Sequence, residues 1–161
     1  MFLRYLKVSD APYMLEWMHD LSITQFLKGD FQHKVLKDCV QFINDSKKSI
    51  STNLHLAIVD SNDTYMGTAS LKHIDALSST AEFAIVVRTC AQGKGYAQKA
   101  MQEIILYGKE YLGLTRIYWC VNEKNIRAIR FYTKNNYCRT SDIPGRIKNL
   151  YKDSNLIWFS K

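Results

Sequence analysis

The sequence predicts an α/β (α+β) domain: a mixed, mostly antiparallel sheet of roughly six to seven strands flanked by about four helices. Two observations predict it. The first half carries strand-like runs that include a hairpin, and the second half carries a strand–helix–strand–helix unit. The 161-residue length and the 47% apolar, 23% charged composition suit one compact domain over 1–161. No linker, repeat or low-complexity tract divides it.

Phe2 to Val8 reads as the first strand. Asp10 is placed to cap a helix whose Pro12 sits near the start, where a missing N–H costs little. Met14, Leu15 and Met18 give that helix one apolar face. A second helix is expected from Lys34 to Lys47, with Val35, Cys39, Phe42 and Ile43 in register. Leu54 to Val59 and Tyr65 to Ile74 are strand-like, and Asp60-Ser61-Asn62-Asp63 between them makes the turn of a hairpin. Glu82 to Val87 is a short apolar strand that runs into a glycine-containing loop and a long helix. In that helix Ala97, Ala100, Met101, Ile104, Ile105, Gly108 and Leu112 follow the helical period, and Gly113 is placed to end it. Arg116 to Val121 reads as a buried strand and Asn125 to Asn135 as an amphipathic helix. A polar stretch from Thr140 to Asn149 precedes a last strand-like run, Leu150 to Phe159.

Composition excludes several classes. No apolar run approaches the ~20 residues that span a bilayer, and the start lacks the features of a secretory signal, so no membrane partner and a cytoplasmic location are expected. Cys39, Cys90, Cys120 and Cys138 show neither C-x-x-C nor paired-His spacing, and His19, His33, His55 and His73 show no ligand spacing. Reduced thiols and no metal follow. The net charge of +7 favours an anionic partner. The basic residues form no run suited to a nucleic-acid tail, and the aromatics do not cluster with them as a stacking platform would require, which disfavours nucleic acid.

The sharpest feature is Gln92-Gly93-Lys94-Gly95-Tyr96-Ala97, between a buried strand and a helix. Closely spaced glycines turn tightly and leave their N–H groups unshielded, and the helix N-terminus adds free amides and the positive dipole end. Together these suit a pyrophosphate. A Walker A loop would need Ser or Thr where Gly95 follows Lys94, and the dinucleotide fingerprint would need a third glycine at Gln98. Both fail. The segment resembles instead the coenzyme A pyrophosphate loop of GNAT acetyltransferases. Ala81-Glu82-Phe83-Ala84-Ile85-Val86-Val87 is similar to the strand that precedes this loop in the family. Asn122 to Tyr137 resembles the family's N-x-x-A-x-x-F-Y-x-K-x-G-[FY] helix, with Asn136 in place of the usual glycine. Asn can also take the left-handed conformation that ends a helix.

The resemblance implies a GNAT fold, acetyl-CoA as co-substrate, and acetyl transfer to a primary amine by direct attack in a ternary complex. Loop residues Gln92, Gly93, Lys94, Gly95, Tyr96 and Ala97 would hold the diphosphate. Ile85, Val86, Val87, Asn122, Asn125, Ala128 and Phe131 would follow the cofactor's arm, with the backbones of Val86 and Val87 pairing with its amides. An amide there would also polarise the thioester carbonyl. Lys94, Lys124, Arg127 and Lys134 are candidates for the adenosine phosphates. An alkylamine with a pKa near ~10.4 needs a base, for which Glu82 is the candidate, as base or as acceptor ligand. Asn125, Ala128, Ile129 and Tyr132 share one helix face, and the Tyr132 phenol is the candidate acid for the departing thiolate. Trp17 is the candidate acceptor-binding residue, because Trp17-Met18-His19-Asp20 resembles the W-x-x-D of ribosomal-protein and sugar-amine members. Cys120 leaves a covalent route open, and Thr140 to Asn149 is a candidate mobile loop over the acceptor. The acceptor is expected to be a small-molecule or peptide amine (a protein N-terminus, a polyamine or an amino sugar), and the protein a monomer or homodimer. The competing readings are a catalytically weak CoA-binding or regulatory module and a nucleic-acid-binding domain.

Overall fold

The computed structural model describes residues 2–152 and 155–161. The chain forms, in order, β1 (Leu3–Tyr5), α1 (Ala11–Met18), α2 (Leu21–Thr24), α3 (Leu36–Ser46), β2 (Leu54–Val59), β3 (Tyr65–Asp75) and β4 (Thr80–Val87). Then follow α4 (Tyr96–Tyr111), β5 (Arg116–Asn122), α5 (Ile126–Lys134), β6 (Cys138–Arg139), α6 (Gly145–Lys148) and β7 (Leu156–Ser160). The strands make one seven-stranded sheet in the order β1-β2-β3-β4-β5-β7-β6. Every pairing is antiparallel except β4 with β5. The expected mixed sheet is therefore present, and the four longer helices are α1, α3, α4 and α5.

Each sheet face has its own core, because successive strand residues point to opposite sides. On one face Leu54, Ile58, Ala69 and Leu71 meet Ala100, Met101, Ile104 and Ile105 of α4. On the other, Ala57, Val59 and Tyr65 meet Met14, Trp17 and Met18 of α1 and Cys39 and Ile43 of α3. The β2–β3 hairpin turns where expected: the Asp60 carboxylate accepts from the amides of Asn62 and Thr64, both at 2.9 Å. The left-handed ends also fall where expected, at Gly113 (φ 65°) and Asn136 (φ 58°).

Four expectations change. β1 stops at Tyr5, because Val8–Asp10 folds into a 3₁₀ turn. The Asp10 carboxylate closes that turn on the Lys7 amide at 2.8 Å and takes two bonds from Arg4, at 2.8 and 2.9 Å, so it does not cap α1. The run from 150 to 159 is strand only from Leu156, and residues 153–154 lie outside the described residues. The stretch from 140 to 149 is pinned: Ile147 of α6 is fully buried, while Arg146 pairs with Asp75 at 3.2 Å and donates to the His73 carbonyl at 3.0 Å. Among the described residues no helix is long and apolar enough to cross a membrane.

Candidate active site

The site begins where the sheet opens. Parallel pairing of β4 with β5 runs only from Thr80↔Arg116 to Glu82↔Tyr118, and beyond it the two strands part. Residues 83–87 of β4 thus keep one edge unpaired. The alternation of an antiparallel ladder fixes which groups face that edge. The Arg88 amide bonds the Met66 carbonyl, so Val86, two residues back, spends its backbone groups on Thr68. Ile85 and Val87 point theirs the other way. This corrects the expectation for Val86: the backbones of Ile85 and Val87 are the ones on the open edge. Gly67 sets the depth of β4, since a Cβ there would lie 2.2 Å from the Val86 carbonyl oxygen.

The Gly93–Gly95 loop closes one end of the opening. Both glycines are left-handed (φ 77° and 84°), and a Cβ on either would meet nothing within 4 Å. Glycine is used here for its backbone conformation, not for tight packing. No side chain caps α4, so its first amides are left with neither an intrahelical nor a side-chain partner. Gln92 ties the loop to its neighbours. Its Nε2 donates to the Val87 carbonyl at 3.0 Å, and its Oε1 accepts from Arg127 of α5.

A cavity of about 1270 Å³ fills the opening. Trp17, Glu82, Ile85, Val86, Val87, Gln92, Gly93, Gly95, Tyr96, Ala97, Asn122, Asn125, Ala128, Phe131 and Tyr132 all line it. Lys94, singled out with them in the sequence, lies apart, with its side chain in solvent. Among the basic candidates Arg127 and Lys134 reach the cavity, whereas Lys124 does not.

Tyr132 is buried in an aromatic cluster with Trp119 (ring centroids 5.5 Å apart), Phe159 (5.1 Å) and Phe131 (5.2 Å). Burial, reinforced by Cys120 and Tyr137, holds its phenol protonated well above the ordinary tyrosine range. Asn125 caps α5 by accepting from the Ala128 amide at 3.1 Å, which leaves its NH₂ group for the cavity. The Trp17 indole N–H donates to the Tyr65 hydroxyl at 3.1 Å, so toward the cavity it offers ring surface alone.

Glu82 is 3% exposed yet lines the cavity. Tyr151 donates a hydrogen bond to Oε1, and Lys72 Nζ lies 3.3 Å from the same oxygen. Oε2 faces His73 Nε2 at 3.5 Å and accepts no hydrogen bond among the described residues. Oε2 is itself out of solvent contact, and the His73 imidazole is its nearest partner. Burial and the Glu82 charge push the Cys120 thiol up to about 12, so Cys120 is not a thiolate at neutral pH. Tyr151, Lys72 and Lys28, which also lines the cavity, went unnoticed in the sequence. Lys72 could have been found from register, for it sits directly across the ladder from Glu82. Tyr151 carries no local signal.

The profile of the acetyltransferase (GNAT) domain matches residues 1–137. The chain belongs to the GNAT acetyltransferase family. It is an N-acyltransferase by that membership, and the family's acetyl donor is acetyl-CoA. Among its relatives, the uncharacterized N-acetyltransferase p20 of Bacillus licheniformis is 29% identical over 130 residues, which is 80% of this chain and 73% of p20. A spermidine N(1)-acetyltransferase of Escherichia coli K12 is 32% identical over 77 residues, only 48% of this chain and 41% of that protein. In fold, the GNAT chain is similar to spermidine N-acetyltransferase from Vibrio cholerae, solved with CoA and spermine, at a TM-score of 0.80 and 17% identity, covering 99% of this chain and 93% of that one. Its open β4 edge, uncapped α4 amides and long cavity are features into which the family's co-substrate fits.

Proposed function

We propose that this GNAT protein moves the acetyl group of acetyl-CoA to a primary amine of a small-molecule acceptor, by direct attack within a ternary complex. The observation that carries this is the meeting of the open β4 edge, the uncapped α4 N-terminus, Glu82 and Tyr132 in one cavity. Diphosphate would lie against the α4 amides, with Arg127 and Lys134 nearby. The pantetheine arm would run along Ile85 and Val87 as an added strand, and an amide of that edge would hydrogen-bond the thioester oxygen. The acceptor nitrogen attacks the carbonyl carbon and loses its proton to Glu82, directly or through one water. The C–S bond then breaks, and the sulfur takes the Tyr132 proton.

A covalent route through Cys120 loses support from the high thiol pKa. Spermidine belongs in any panel of test amines because the E. coli relative is named for it. Calorimetric titration with acetyl-CoA, followed by thiol release with a panel of amines, tests the proposal. Binding and release are both expected. Binding without release for every amine would leave a CoA-binding module.

A further inference from the structure

The charge at the acceptor end of the cavity is opposite to what a polyamine needs. Among the described residues Glu82 is the only carboxylate that lines the cavity, and Lys72 already pairs with it at 3.3 Å. Lys28, on the loop after α2, lines the same end and has no acidic partner among the described residues. Its ammonium lies 6.0 Å from the centroid of the Tyr151 ring, whose hydroxyl donates to Glu82. A weak attraction to that ring face holds the Lys28 ammonium near Tyr151. Lys28 and Lys72 are both close enough to Cys120 to act on its thiol against the Glu82 charge. The remaining walls here, including Ile23, Phe26, Leu27 and Phe31, carry no charge.

Resting on the acetyl-transfer reading above, we infer that the acceptor amine carries an anionic group, a carboxylate or a phosphate, held by Lys28 and Lys72. With the amine beside Glu82, that anion would sit beside the Lys28 ammonium. Such a ligand cancels the surplus positive charge through charge-assisted hydrogen bonds. A polyamine would bring its remote ammonium toward Lys28, where no second carboxylate among the described residues lines the cavity to receive it.

The test is kcat/KM by thiol release from acetyl-CoA, with the whole chain and five amines. These are spermidine, butylamine and its carboxylate counterpart 4-aminobutyrate, and glucosamine with glucosamine 6-phosphate. At least one anionic amine is expected to exceed both its anion-free counterpart and spermidine by roughly ten-fold or more. Which one does so separates carboxylate from phosphate. Lys28 is exposed, so Lys28→Glu keeps the fold, and it should erase that advantage and raise turnover of spermidine. Spermidine outrunning both anionic amines, or a preference untouched by Lys28→Glu, would overturn the inference and leave acetyl transfer standing. Release with none of the five, from protein that binds acetyl-CoA in the calorimeter, would overturn both.

Discussion

In the proposed mechanism Tyr132 and Glu82 divide the proton transfers, and their surroundings differ. The phenol sits among aromatic rings with its proton held fast, while Glu82 keeps one buried oxygen without a hydrogen bond. Tyr132→Phe preserves the ring packing and removes only the hydroxyl. It should lower kcat about 10²-fold while calorimetry finds acetyl-CoA affinity unchanged. Glu82→Gln retains an oxygen for Tyr151 but cannot take a proton, and should cost a similar factor in steady-state assays. A module that only binds CoA would lose nothing in either variant. Cys120→Ser, by contrast, should leave turnover largely intact, and mass spectrometry after mixing with acetyl-CoA should find no acetyl group on Cys120. That Glu82 and Tyr132 would face the cavity was legible in the sequence, because each belongs to a local motif with fixed spacing. Tyr151, 69 residues from its partner Glu82, was not, since no periodicity links a residue beyond the sixth strand to one at the start of β4.

At the scale of elements, the loop into α4 takes its shape from backbone conformation. Gly95 is left-handed with open space above it, so Gly95→Ala meets no clash and pays only in conformation, about 1–2 kcal/mol of stability by urea denaturation. The same strain should turn the α4 amides and weaken acetyl-CoA binding in the calorimeter, an effect that a clash-free change elsewhere in α4 would not produce. The helices with a full apolar stripe were readable, as was the β2–β3 hairpin. β6 has two residues and α2 and α6 four each, too few to show any period, and they exist because tertiary partners hold them. The first strand was overread for a related reason: the Arg4–Asp10 ion pair folds the chain back before the apolar pattern ends.

Over the whole molecule, proton uptake on unfolding sets how stability answers to acid, and one half-buried ring leads it. His55 lies on β2 against Phe42 (ring centroids 4.9 Å apart), with Nδ1 2.7 Å from the Ser70 hydroxyl. Burial, helped by Lys72, lowers its pKa from 6.5 to about 4. The folded protein therefore keeps His55 neutral in a range where the unfolded chain binds a proton. Unfolding takes up that proton, so stability falls as pH drops from about 6.5 toward 4, by roughly 2 kcal/mol at pH 5. Asp63, held below its ordinary value by Lys7 and Arg4, and Asp75, held down chiefly by Ser78, act with the same sign but only in more acidic solution, below the usual carboxylate range. The two windows separate the causes. Urea midpoints measured at pH 7.5, 6 and 5 should decline in the native protein, and His55→Gln, which can still reach Ser70, should flatten that decline without moving the loss at lower pH. An equal slope in both proteins would mean that the proton taken up on unfolding belongs to another group.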